Sequence, residues 1–134
     1  MYGLLFLVIV LQFNLIAVSG AGEYETAISL MNENKYEDAI VILEKLTGSN
    51  ARDLHLGIAL SQVGRIDEAK KYLHSVLEKN PGLVVAEYTL AMIYEKEKSY
   101  DSALFHWNSV LANSRDKKLR ELALRHIELI KELK

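Results

Sequence analysis

A repeated helical pattern is the feature that most constrains how this 134-residue chain can fold. The segments "NKYEDAIVIL", "GRIDEAKKYL" and "KSYDSALFHW" align on Ala39, Ala69 and Ala103. Large residues stand three positions before each alanine (Tyr36, Ile66, Tyr100) and four positions after it (Leu43, Leu73, Trp107). Spacings of three and four place side chains on one face of an α-helix. The pattern therefore predicts three equivalent helices, with Trp107 packed in the core because it occupies the position of Leu43 and Leu73.

A second motif precedes each of these helices and is separated from it by a short turn. This motif is a large residue, then a small one, then a second large one. It occurs as Leu56, Gly57 and Leu60 and as Leu90, Ala91 and Tyr94, and less fully as Thr26, Ala27 and Leu30. A small side chain lets two helices approach closely. Each unit is therefore predicted to be a pair of helices that meet at small residues.

The spacing between Ala69 and Ala103 is 34 residues, and the sequence here resembles the tetratricopeptide repeat family, which has this period. The residues at that family's marked positions are Leu56-Gly57, Leu60, Gly64, Ala69, Leu73 and Asn80-Pro81. The resemblance covers about residues 21–115, although the first unit is four residues shorter and only Pro81 represents the terminal proline. It implies an all-α fold, a tetratricopeptide-type solenoid of antiparallel helix pairs.

The predicted organisation is a hydrophobic segment at 1–21 followed by a repeat domain at 22–134. The repeats fall at about 22–49, 50–83 and 84–115, with a capping helix at 116–134. Helices are predicted near 24–33, 36–47, 51–63, 66–79, 84–97, 100–113 and 116–133. The last helix has Arg125 at the position of the family's small residue, which favours a polar end helix that closes the stack. Its lysine-rich ends could instead dock a partner.

The hydrophobic segment "LLFLVIVLQFNLIAV" at residues 4–18 is interrupted only by Gln12 and Asn14. As a retained helix, residues 3–21 would reach roughly 28 Å, about the thickness of a hydrocarbon core. As a secretory signal it would be cleaved near Ser19 to Ala21, but the usual basic residues before it are missing. We therefore expect a membrane-anchored protein whose soluble domain lies on the exported side. The alternative is a secreted or periplasmic protein after signal cleavage.

Sequence signatures of catalysis or metal binding are not found. Cysteine is absent, and no two of the four histidines have the i, i+4 spacing of a helical metal site. A net charge of -2 and a pI near 6.1 give no general attraction to nucleic acid. We therefore predict a non-enzymatic protein without cofactor, metal, small-molecule substrate or nucleic-acid partner.

The family resemblance implies a concave groove lined by the first helix of each unit. The residues predicted to face it are Tyr24, Ile28, Met31, Leu54, Ile58, Gln62, Tyr88, Met92 and Lys96. Some family members grip a chaperone's terminal carboxylate with Lys and Asn at the positions where this chain has Tyr24 and Ile28, so that clamp is not implied. The apolar composition instead suits an amphipathic helix or an extended apolar peptide.

Three other occupants of the groove remain possible: the hydrophobic segment, the end helix, or a second copy of the chain in a homo-oligomer.

The predicted function is that of a membrane-anchored or exported adaptor that binds a protein partner. The alternative is a constitutive structural or assembly subunit of a membrane protein complex, favoured by Gln12 and Asn14, which would need polar partners in lipid. Tyr88 is expected to lie outside the core.

Sequencing the N-terminus of the mature protein tests the anchor. We expect residues 1–21 to stay attached and to hold the protein in the membrane fraction, because the segment is long enough to span the hydrocarbon core. A mature chain that begins at Gly20 or Gly22 would identify a cleaved signal instead.

Overall fold

The computed structural model describes residues 22–134, and that part of the chain folds into helices joined by short turns. Residues 22–32 form helix α1, and the later helices are α2 (Tyr36–Lys45), α3 (Asn50–Gln62), α4 (Ile66–Lys79), α5 (Val84–Lys96), α6 (Tyr100–Asn113) and α7 (Lys117–Leu133). The most extensive packing is within the pairs α3–α4 and α5–α6. The predicted all-α architecture of antiparallel helix pairs is confirmed for these residues.

The predicted helix bounds agree with the observed ones to within two residues, and those of α4 and α6 agree at both ends. Helix α2 ends two residues early because Leu46 is extended, with φ -76° and ψ 149°. The chain then reaches Ser49, whose hydroxyl accepts a hydrogen bond from the Arg52 backbone N–H at 3.1 Å and caps α3.

None of the helices within residues 22–134 is both long enough and apolar enough to cross a membrane. The hydrophobic helix predicted at residues 1–21 lies outside the described residues. The membrane anchor at residues 3–21 therefore stays a prediction.

The helix pairs meet at small residues, as the repeat pattern predicts. The alanines at these positions are all fully buried: Ala27, Ala39, Ala69, Ala91 and Ala103. At Gly57, a Cβ atom would lie 2.9 Å from Leu73 Cγ and 3.4 Å from the Ala69 carbonyl oxygen. Contacts this short leave no room for a side chain, so the crossing distance of α3 and α4 depends on a glycine.

The turn inside each pair places one residue in the left-handed region. These residues are Asn34 (φ 60°), Gly64 (φ 85°) and Lys98 (φ 59°). The backbone N–H that follows donates to a carbonyl five residues earlier, for example from Arg65 to Leu60 at 3.0 Å. This is the hydrogen bond of a Schellman helix end. The turn direction is thus the same in all three units.

Buried side chains form two clusters that share helix α5. The first cluster joins α1 to α5 and consists mainly of leucine, isoleucine and alanine. The second joins α5, α6 and α7 around Trp107, which is fully buried, as predicted for its position in the repeat.

Helix α7 is more like a repeat helix than the sequence analysis expected. Its small contact residue is Ala123, which is fully buried, whereas Arg125 is exposed. Leu122, Ala123 and His126 reproduce the large-small-large spacing of the first helices. The family's period points to Arg125 instead of Ala123 because Ala123 follows Ala91 by 32 residues rather than by 34, and the capping role of α7 stays a prediction.

Replacing Gly57 by alanine should lower the free energy of unfolding by about 1–3 kcal/mol, because the added methyl group would force the fully buried Leu73 to shift. Thermal melts followed by circular dichroism would measure this. The matched control is Gly22→Ala, where an added Cβ meets nothing within 4 Å and stability should be unchanged or slightly higher. Equal melting temperatures of Gly57→Ala and the wild type would contradict the packing described above.

Candidate protein-binding groove

The three first helices, α1, α3 and α5, form one continuous layer. The Tyr24 hydroxyl on α1 lies 2.9 Å from His55 Nδ1 on α3, and the two rings meet edge to face. Helix α3 in turn contacts α5. Burial raises the pKa of Tyr24, so its hydroxyl stays protonated at neutral pH. This layer carries all nine residues that the sequence analysis assigned to a groove.

The nine predicted residues differ in how much surface they offer a partner. Half-buried are Tyr24, Ile28, Met31, Leu54, Ile58 and Tyr88, whereas Gln62, Met92 and Lys96 are exposed. Leu54 and Ile58 pack partly against the first core cluster. Their outer atoms therefore remain available, while their inner atoms hold the helices together.

Helix α5 presents the most exposed apolar part of this layer. Val85 is 49% exposed and Met92 is 41% exposed, and Tyr88 lies between them on the same helical face. The sequence analysis missed Val85, although it precedes Tyr88 by three residues and could have been found from the helical spacing. We call Val85, Tyr88 and Met92 the α5 stripe.

Tyr88 is not one of the buried core residues, but it is less separate from the core than expected. Its ring packs edge to face on Trp107, with 5.6 Å between the ring centroids, and it belongs to the margin of the second cluster. Truncating Tyr88 would thus disturb packing as well as the surface. Met92 is the cleaner probe of binding because it is more exposed and is not among the side chains of either cluster.

A carboxylate on α5 anchors the last two helices at the end of this layer. Glu95 Oε2 accepts a hydrogen bond from Trp107 Nε1 on α6 at 2.8 Å and lies 2.8 Å from His126 Nδ1 on α7. The His126 ring also stacks on the Trp107 indole, at 4.4 Å between centroids and 16° between planes. Sequence reasoning did not find this cluster, because its members are on three helices and form no local motif.

Residues 22–134 contain no group of three or more histidine, aspartate or glutamate side chains placed to hold a metal ion. The surface chemistry of the layer formed by α1, α3 and α5 is that of apolar side chains beside a few polar ones. Such a surface can bind another protein segment.

A family model of the tetratricopeptide repeat matches residues 53–82, which comprise most of α3 and all of α4. Residues 53–82 of the chain are thus a tetratricopeptide repeat. None of the curated proteins matches the sequence significantly. The matched repeat is the central pair, whose period and marked residues follow the family most fully.

Solved tetratricopeptide repeat structures share the fold. PcrH from Pseudomonas aeruginosa superimposes with a TM-score of 0.74 at 16% identity, over 84% of this chain and 92% of PcrH. PcrH in complex with the chaperone binding region of PopD gives 0.76 at 16% identity, over 84% and 91% of the two chains. MamA AMB-1 gives 0.67 at 24% identity, over 87% of this chain and 68% of MamA.

Replacing Glu95 by alanine should lower the free energy of unfolding by about 1–3 kcal/mol, because the N–H of the buried Trp107 indole loses its acceptor. Urea titration followed by tryptophan fluorescence would measure this free energy of unfolding. Glu121→Ala is the control, since Glu121 is exposed and pairs only with Lys117 at 3.8 Å, and its effect should stay within about 0.5 kcal/mol. The prediction fails if the two variants unfold at the same urea concentration.

Proposed function

We propose that this protein is a non-enzymatic interaction module that binds an apolar helix or peptide of another protein along α1, α3 and α5. The observation that carries the proposal is the α5 stripe, where two apolar side chains are more than two-fifths exposed on one helical face. An exposed apolar patch on a folded domain commonly marks an interaction site.

The neighbouring residues extend the proposed binding surface along the first helices. Leu54 and Ile58 on α3 are half-buried and separated by one helical turn, as are Tyr24 and Ile28 on α1. A bound helix would meet such rows with apolar side chains at matching intervals of three and four residues. Gln62 and Lys96 are exposed on α3 and α5 and would face the more polar edge of the ligand.

The likeness to PcrH supports a peptide ligand. PcrH has been solved with the chaperone binding region of PopD, which is a protein segment. This chain shares the fold over most of its length, and its first helices offer an apolar rather than a charged layer. An apolar segment is therefore the ligand class that we assign.

The module is further proposed to act at a membrane or beyond it. Residues 3–21 would tether it, with the repeat domain on the exported side, or would direct its secretion. In either arrangement the domain would bind and recruit a client protein rather than act on it as an enzyme.

Partner capture with matched variants tests the proposal. The tagged full-length protein is purified in mild detergent, and the proteins retained with it are identified by mass spectrometry. We expect a protein that the wild type retains and Met92→Glu loses, since a carboxylate in the apolar contact should weaken binding roughly tenfold or more. Val41→Glu is the control, because Val41 is 52% exposed but lies on the second helix α2.

The proposal is wrong if the folded Met92→Glu variant retains every partner of the wild type. It is equally wrong if Val41→Glu removes the same partner, because the contact would then lie on the side of the second helices.

A further inference from the structure

A cleft between the second helices α4 and α6 is distinct from the groove residues described above. It encloses about 710 Å³ and is lined partly by helix α5, and none of the nine groove residues borders it. Its lining includes apolar side chains (Leu77, Pro81, Phe105) and carboxylates (Glu78, Glu87, Asp101). A surface recess that combines these two chemistries suits a ligand with an apolar stem and a cationic end.

A buried carboxylate lies at the inner side of the cleft. Glu87 is 6% exposed and His106 is 5% exposed, and Glu87 Oε2 lies 2.5 Å from His106 Nδ1. Glu87 Oε1 makes no hydrogen bond within residues 22–134 and is not one of their fully buried unpaired atoms, so it is open to solvent on the cleft side. Burying a charged group is costly unless its charge and lone pairs are satisfied. Glu87 therefore has capacity for a further donor from the cleft.

The neighbouring rings fix the position of this pair. The Tyr94 ring stacks parallel to the His106 ring, at 5.4 Å and 4°, and the Tyr94 hydroxyl lies 2.9 Å from His74 Nε2. Burial lowers the pKa of His74, and nearby His106 lowers it further, so His74 is neutral at neutral pH. His74 thus adds no positive charge to the cleft.

Within residues 22–134, the basic side chains that line the cleft are two histidines, His74 and His106. Its lining includes three carboxylates and no lysine or arginine among residues 22–134. At the rim, Lys134 Nζ donates to Asp101 Oδ1, so one ammonium group from this chain already pairs there. Lys70, which lies 5.5 Å from the Tyr94 ring centroid, is paired with Glu97 at 2.9 Å. The inner carboxylate Glu87 pairs with neither of these ammonium groups, and its partner is the His106 ring.

An exposed aromatic ring borders the same carboxylates. Phe105 is 68% exposed, which is the largest exposure among the large apolar side chains of residues 22–134. A guanidinium stacks well on an aromatic face, and its five N–H groups can serve several acceptors at once. Acceptors spread over Glu87 and Glu78 suit that fork better than a single ammonium group.

We propose that this cleft binds an arginine side chain of a partner protein, with the alkyl stem along Phe105 and Leu77 and the guanidinium at Glu87. This site goes beyond the proposed groove function, because the cleft lies between α4 and α6, shares none of the nine groove residues and needs no occupant in the groove. The protein would then contact partners on two sides of the stack.

Nuclear magnetic resonance titration of the ¹⁵N-labelled full chain tests the site. The probe is the peptide acetyl-Gly-Arg-Gly-amide, and the matched control peptide has citrulline, an uncharged isostere, in place of arginine. We expect the arginine peptide to shift the amide signals of Glu87, Phe105 and His106, and to bind roughly tenfold more tightly than the citrulline peptide, because a charge-assisted hydrogen bond is lost in the control.

Two variants locate the contact. Glu87→Gln should weaken binding of the arginine peptide roughly tenfold. Phe105→Ala should weaken it severalfold while leaving the melting temperature unchanged, since the ring is mostly exposed. If Glu87→Gln proves unfolded, the affinities of the Phe105→Ala and Glu78→Gln variants for the arginine peptide decide the matter. Glu78 suits this purpose because it is exposed.

Three outcomes would overturn the inference: equal binding of the arginine and citrulline peptides, wild-type affinity in the folded variants, or shifts confined to the α5 stripe. Spermidine is the last probe in the titration. If it matched the peptide in affinity and in the signals shifted, the cleft would attract cations generally and the assignment to an arginine side chain would fail. None of these results bears on partner capture by Met92, so the groove and the cleft are tested separately.

Discussion

The close crossing of paired helices at small residues is the constraint on which the rest of the structure depends. At Gly57 the backbone of α3 approaches Leu73 so closely that not even a methyl group fits without a shift. The alanines of the other pairs are buried in the same way. Because the two helices of each pair approach each other closely, the first helices can form one layer and the second helices another. The apolar stripe of α5 and the cleft between α4 and α6 both follow from that arrangement.

Helix α5 differs from the other first helices because its carboxylates fix its neighbours. Glu95 joins it to Trp107 on α6 and His126 on α7, whereas Glu87 joins it to His106 on α6. The first core cluster, in contrast, is held mainly by aliphatic packing. Polar contacts with defined geometry orient helices more strictly than aliphatic contacts, which tolerate small rotations. The third unit is therefore the part of the stack whose geometry is most closely specified.

The helices could be predicted from the sequence because their cause is local. The period of the repeat and its small residues determine where each helix lies. The place of Trp107 in the repeat likewise assigns this residue to the core. The polar clusters could not be predicted in this way. Glu87 and His106 are 19 residues apart, and Glu95 and His126 are 31 apart. Whether such residues meet depends on the rotation of each helix about its axis, which apolar periodicity does not define closely enough.

Tyr88 and Ala123 also could not be placed from the repeat pattern alone. Tyr88 was assigned to the groove alone because its repeat position is usually outside the core, but the large indole of Trp107 extends far enough to pack against its ring. Ala123 was overlooked because the interval before α7 is two residues shorter than the family's period. In both places a particular side chain or interval departs from the family average. A pattern built on that average describes the scaffold better than it describes the site.

The division of the core into two clusters has a consequence for cooperativity. Repeat stacks can open in segments, since each unit contacts only its neighbours. Here the aliphatic cluster and the Trp107 cluster share helix α5, whose Tyr94 ring packs against both. Amide protons of α6 and α7 can therefore exchange with solvent through a partial opening that leaves α1 to α4 folded. A ligand that spans α3 and α5 stabilises the closed form of both segments, and so couples their opening into one transition.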